Sequence, residues 1–253
     1  MGRIIGICSA KGGVGKTTVA INLAITLSKF FNKKVLLIDF NLTAPHISLY
    51  LGVVPQRKLN EVLRGEIGIE KSFEDYFYGI KLSLASDKLE DLIGNDLGLL
   101  RKELEKVKNE FDFIILDLAP GIGREAANGI LSSEELILVT TPLIPAFSDI
   151  ARVKKIAEEL NKNILGVVLN QWMNKSYEIK EKEIESLGLK VISKIPFHSK
   201  FRESINTKTP IMINKRIPKE IQNAFIKTAS YLTGEYVRNK ESFIDKIKKF
   251  FGI

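Results

Sequence analysis

Ten residues near the start of the chain, Ser9-Ala10-Lys11-Gly12-Gly13-Val14-Gly15-Lys16-Thr17-Thr18, restrict its fold more than any other stretch. They follow the apolar run Arg3–Cys8 and open a helical pattern over Lys16–Phe31. A strand feeding a glycine-rich turn and then a helix gathers backbone N–H groups around one point, with the positive end of the helix dipole facing it. Gly12, Gly13 and Gly15 permit the inward turn, because side chains there would block a ligand's approach. The spacing is G-x-x-x-x-G-K-[ST] with Ser9 in the first position. Such a loop cradles phosphate, with Lys16 reaching the outer phosphates and the Thr17 hydroxyl placed for Mg²⁺.

The rest of the chain supports that geometry. Strand-like runs occur at Lys34–Asp39, Ile80–Ala85, Asp112–Leu118, Glu135–Thr140, Asn163–Asn170 and Lys190–Ile195. Helical patterns at Asn95–Glu110, Arg124–Ser132, Phe147–Leu160, Tyr177–Leu187 and Lys219–Leu232 separate most of them. Continuous apolar strands alternating with amphipathic helices predict an α/β three-layer sandwich around a mostly parallel central sheet. In such sheets ligands bind beyond the carboxyl ends of the strands. With 253 residues and no linker or repeat, residues 1–234 read as one domain and 235–253 as a tether plus a terminal helix.

Two strands end in carboxylates, Val35-Leu36-Leu37-Ile38-Asp39 and Phe113-Ile114-Ile115-Leu116-Asp117. Beside a phosphate loop, Asp39 and Asp117 are placed to orient a metal ion directly or through water. A third strand ends in Asn170, whose amide offers the donor and the acceptor that an adenine edge requires.

The segment Lys11–Thr18, with its early lysine, resembles the deviant Walker A motif of the MinD/ParA family of P-loop ATPases. The likeness extends through Asp39, Asp117–Gly121, Asn170 and Ile195-Pro196, nearly the whole chain. It implies a P-loop NTPase fold and ATP with Mg²⁺ as cofactors. It also implies a homodimer in the ATP state, in which Lys11 reaches the partner's phosphates. The implied site comprises Lys11, Gly12, Gly13, Val14, Gly15, Lys16, Thr17 and Thr18, with Asn170, Pro196, Phe197 and His198 at the base. Phe40–Ser48 and the loop after Asp117 correspond to the two switches. The family's first switch commonly carries a second Asp that activates water; here Asn41 stands in its place. An amide orients water but cannot take its proton, which predicts slow hydrolysis or dependence on an activating partner.

At the far end, Phe243, Ile244, Ile247, Phe250 and Phe251 recur at helical spacing beside Lys246, Lys248 and Lys249. The stripe is too short to span a bilayer and suits an anionic interface, and it resembles the membrane-targeting helix of MinD proteins. Docking on the domain is the alternative. A net charge of +8 suits an anionic partner. Nonspecific DNA binding of the ParA type is therefore the rival to membrane recruitment, though it leaves the apolar stripe without a role.

No secretory signal or apolar run of membrane-spanning length is visible, so the expected location is cytoplasmic, with peripheral attachment at the inner membrane face. Met1-Gly2 is not a myristoylation signal, because Gly6 occupies the position that needs Ser or Thr. The single cysteine, Cys8, lies within a strand and cannot bridge a metal cluster alone, which argues against the family's iron–sulfur branch. His46 and His198 lack metal-ligand partners and read as structural, and Trp172 reads as packing.

Overall fold

The computed structural model describes residues 2–236. Their order is β1 (Arg3–Cys8), α1 (Lys16–Phe31), β2 (Val35–Phe40), α2 (Ile47–Leu51), α3 (Leu59–Leu63), β3 (Phe73–Asp75), β4 (Lys81–Ser83), α4 (Leu99–Val107) and β5 (Phe113–Leu118). There follow α5 (Arg124–Ser132), β6 (Glu135–Thr140), α6 (Pro145–Glu159), β7 (Asn163–Trp172), α7 (Glu181–Glu185), β8 (Val191–Pro196), α8 (Lys200–Asn206) and α9 (Lys219–Thr233).

The strands form one sheet in the order β3-β4-β2-β5-β1-β6-β7-β8. Only β3 runs antiparallel. Every residue of β2 and β5 is buried, as apolar strands must be when helices cover both faces of a parallel sheet. One core joins α1 and α9 to the sheet through residues such as Leu23, Leu27, Phe225 and Leu232. The other joins α4, α5 and α6 through Leu104, Ile130 and Ile150. Each fully buried Leu or Ile contributes about 1.5–3 kcal/mol before the entropy of ordering the chain is subtracted. The result is the three-layer sandwich that the alternating pattern implies.

Register fixes the site. Asp39 of β2 sits opposite Asp117 of β5, and Asp117 is paired with Ile7 of β1, immediately before the phosphate loop. Gly129 brings α5 down onto these strands, since a Cβ there would lie 2.6 Å from Leu118 Cδ2 and 3.0 Å from Phe40 Cδ1.

Several elements differ from the sequence reading for local reasons. The helix expected over Asn95–Glu110 begins only at Leu99, because Asp96 Oδ1 accepts the Gly98 N–H in a turn before it. The helix expected over Tyr177–Leu187 shrinks to Glu181–Glu185, because the buried Glu178 carboxylate folds back to accept the N–H groups of Met173 and Lys175. β7 runs on to Trp172, so Asn170 lies within the strand rather than at its end. Neither β3, three residues with two charges, nor α8, seven residues with only Phe201 and Ile205 apolar, is long enough to carry an apolar period. Trp172 packs at the edge of the second core beneath Lys194, as a packing residue should. Among the described residues no helix is long and apolar enough to cross a membrane. The expected membrane stripe, Phe243, Ile244, Ile247, Lys248, Phe250 and Phe251, lies outside the described residues.

Candidate active site at the phosphate loop

Gly15 closes the loop in a left-handed conformation, φ +88°, and caps α1 with no side-chain hydrogen bond. The first turn of α1 contains no acidic residue. Its leading N–H groups are thus unclaimed by a carboxylate or hydroxyl, the condition under which a helix start accepts an anion. A cavity of ≈ 570 Å³ opens above, lined by Lys11–Thr18, Asn41, Asn170, Pro196, Phe197 and His198 among others. That volume lies within the range of small-molecule sites.

Beneath the loop, Asp117 is fully buried and holds two loop residues. Lys16 Nζ lies 3.2 Å from Oδ1, and the Thr17 hydroxyl donates to Oδ2 at 2.5 Å. Lys16 is buried as well, so the pair is shielded from solvent and screened little by salt. Asp39, also fully buried, commits both oxygens to backbone donors: Asn41 N at 3.3 Å, His46 N at 3.0 Å and Ile47 N at 2.9 Å. Burial first and the neighbouring Asp117 charge second raise its carboxyl to about 7, against the pull of the three backbone donors.

Neither carboxylate lines the cavity; Thr17 and Asn41 do. The Asn41 amide nitrogen donates to the Ala44 carbonyl at 2.6 Å, leaving its oxygen as the group it can offer. Asn170 Nδ2 donates to the Val14 carbonyl at 2.8 Å, so its donor is committed to the loop in this state. The expected Asn170 pairing with a base would require that bond to be exchanged.

Lys11 behaves differently from Lys16. Its side chain is 59% exposed, and its Nζ pairs at 2.9 Å with Asp149 of α6. Lys11 and Val14 also line a second cavity of ≈ 130 Å³ between the loop and α6.

His198 lines the main cavity beside Pro196 and Phe197, where the resemblance puts the base, and His46 lines it too, although it reads as structural from the sequence. Each has a local role too, since the His46 N–H binds Asp39 and His198 Nδ1 accepts the Lys200 N–H. Tyr50, Phe201 and Arg202 complete the wall. They belong to α2 and α8, short helices whose sequences carry no cavity signal. The hydroxyl of Thr17 beside the Asp117 carboxylate is a hard-oxygen set that fits Mg²⁺. Among the described residues no group of three or more His, Cys, Asp or Glu side chains could hold a metal alone. Oxygens of a bound nucleotide would therefore have to complete the coordination.

The family model ParA, described as NUBPL iron-transfer P-loop NTPase, matches residues 1–233. An uncharacterised ATP-binding protein of Methanocaldococcus jannaschii is 33% identical over 258 residues, covering 98% of this chain and 97% of the relative. The cell division ATPase MinD of Pyrococcus furiosus superposes with a TM-score of 0.86 at 32% identity, covering 92% of this chain and 99% of that one. Septum site-determining MinD of Pyrococcus horikoshii OT3, solved with Mg-ADP, gives 0.85 at 31% identity over 97% and 99%.

Proposed function

The chain belongs to the ParA/MinD family of P-loop ATPases, and from that premise we propose that it is a MinD-like, ATP-dependent dimerising switch. Its cargo would be a division or other surface apparatus positioned at the inner face of the membrane. Lys16 and Thr17 grip the nucleotide phosphates from the loop, while Asp117 fixes both side chains and keeps the loop in shape. The Thr17 hydroxyl and, beneath it, Asp117 would hold, directly or through water, Mg²⁺, which would supply counter-charge to the phosphates. Asn41 holds water by its amide oxygen without taking a proton.

The observation that carries the reading is the contrast between the two lysines. Lys16 is buried and committed to its own site, whereas Lys11 is exposed and held only by Asp149. The lysine side of this pair is open to solvent, so a phosphate from a second subunit can reach Lys11 and displace Asp149. Replacing Lys11 with Ala should leave ATP affinity within about threefold while removing the ATP-dependent dimer, because only the second event needs the lysine. Light scattering with and without Mg·ATP checks this, and an intact dimer in that variant defeats the reading.

Hydrolysis by the purified protein should be slow. Steady turnover at or above ~1 s⁻¹, the ordinary enzyme range, would overturn that expectation.

Membrane recruitment follows from valency, since two copies of the stripe Phe243–Phe251 in one dimer can bind about 10²–10⁴-fold better than one. Liposome co-sedimentation with ATP, ADP and no nucleotide, with and without Glu241–Ile253, is the decisive test. Equal binding in ATP and ADP, or unchanged binding after the deletion, would reject it.

One observation favours the ParA-like alternative. Among the described residues, Lys200, Arg202, Lys208, Lys215, Arg216 and Lys219 make no ion pair with an acidic side chain, although they share one stretch around α8. Salt-sensitive, ATP-dependent retention on duplex DNA would support that reading over the membrane one. Iron transfer, which the family model's description mentions, is disfavoured by the single buried cysteine, Cys8.

A further inference from the structure

Glu125 lies in the first turn of α5, where a carboxylate would ordinarily serve only the helix dipole. Its contacts point elsewhere. Oε1 accepts the backbone N–H of Leu42 and, at 3.4 Å, that of Thr43; Oε2 accepts the Thr43 hydroxyl at 2.6 Å. All three donors lie in the turn after β2, more than eighty residues away in sequence.

That turn is a self-contained unit. Ala44 N–H donates to the Asn41 carbonyl at 3.2 Å, and the Asn41 amide donates to the Ala44 carbonyl at 2.6 Å. Two carboxylates hold it. Asp39, fully buried in β2, holds Asn41, His46 and Ile47, whereas Glu125 holds Leu42 and Thr43. The handle on Asp39 is fixed in the sheet. The handle on Glu125 is attached directly to the loop Ala119–Gly123, whose Gly121 N–H donates to the Ser9 carbonyl of the phosphate loop at 2.9 Å and whose Pro120 lines the cavity. Ile122, Gly123 and Arg124 are exposed, while Ala126, Gly129 and Ile130 are buried against the sheet. The start of α5 is therefore its open part.

We propose that Glu125 is a positioning residue that ties the Asn41–Ala44 turn to the Ala119–Gly123 loop, so that phosphate sensed by one is transmitted to the other. Asn41 is thereby placed over the nucleotide only when the loop on α5 has taken up its phosphate-bound position. The proposal rests on the ATPase reading above and adds to it the route by which the two loops act together.

Amide hydrogen exchange on the full chain, without nucleotide, with Mg·ADP and with Mg and a non-hydrolysable ATP analogue, tests it. In the parent chain the analogue should protect both 41–47 and 119–125 relative to ADP. In Glu125→Ala the response of 119–125 should persist. Protection at Leu42 and Thr43 should fall from about tenfold to under about twofold, because the bonds that link those amides to α5 are gone. Thr43→Val removes only the hydroxyl contact and should lose part of the response, which keeps the test valid should the first variant fold poorly. Nucleotide affinity in both should change less than about threefold while kcat falls, the split expected of a residue that acts on positioning.

If the turn in Glu125→Ala still follows the nucleotide, the coupling is wrong. So is it if the variant merely lowers Tm equally with and without nucleotide. If the parent chain binds no nucleotide, the ATPase reading falls first and the coupling with it.

Discussion

Lys16→Ala should abolish tight nucleotide binding and, at the same time, destabilise the nucleotide-free protein. The first effect follows from losing the ammonium that meets the outer phosphates, and about 100-fold weaker binding or worse is expected. The second follows from the resting structure. Lys16 is the counter-charge of Asp117, and the two side chains are 7% and 0% exposed. Removing one partner of a buried pair leaves the other uncompensated, which typically costs 3–5 kcal/mol. For a domain of this size that is a fall of about 10 °C in Tm. The double variant Lys16→Ala/Asp117→Asn should recover most of the stability, because no buried charge is left unpaired, and it should recover none of the binding. Calorimetry without nucleotide, run beside titration with a fluorescent ATP analogue and Mg²⁺, separates the two effects. A Tm within about 1 °C of the parent for Lys16→Ala would show that the pair contributes nothing at rest.

Gly15→Ala is the second large effect. The residue sits at φ +88°, and an added Cβ would lie 2.2 Å from Asn170 Nδ2. Asn170 is itself buried and donates to the Val14 carbonyl, so it cannot step aside without breaking that bond. Backbone strain of about 1–2 kcal/mol thus combines with a displaced hydrogen bond inside the loop that holds the phosphates. Nucleotide affinity should drop by about 100-fold. Gly13→Ala is the control. Its φ is +78°, but nothing lies within 4 Å of its added Cβ. Only strain applies there, and the loss should be nearer tenfold. Gly15→Ala/Asn170→Ala should fall between them, since the clash is relieved and the strain is not. Equal losses at Gly13 and Gly15 would show that Asn170 does not hold the loop.

Much of this protein was legible before any coordinates. The turn Ser9–Thr18, the two strands that end near Asp39 and Asp117, and the helices over Lys16–Phe31 and Arg124–Ser132 follow from glycine placement and apolar period. Both act over a few residues and are fixed by φ/ψ preference and by burial of one face. That Asn41 is an amide where a second Asp is common follows only from the resemblance to the family, not from the position itself.

The sequence was silent wherever the partner lies far along the chain. Lys16 meets Asp117 across 101 residues and Asn170 meets Val14 across 156. Neither pairing leaves a periodic trace, because register in the sheet, not local preference, brings the partners together. The same holds for His46, whose neighbours in sequence carry no sign that it walls the cavity, and for α8, whose seven residues are too few to show an apolar stripe. Local chemistry determined the loop Ser9–Thr18 and the helix start that faces its cavity. Tertiary packing decided which side chains hold the loop at rest, which lysine is left exposed, and that Glu125 links the turn carrying Asn41 to the loop beside the phosphate site.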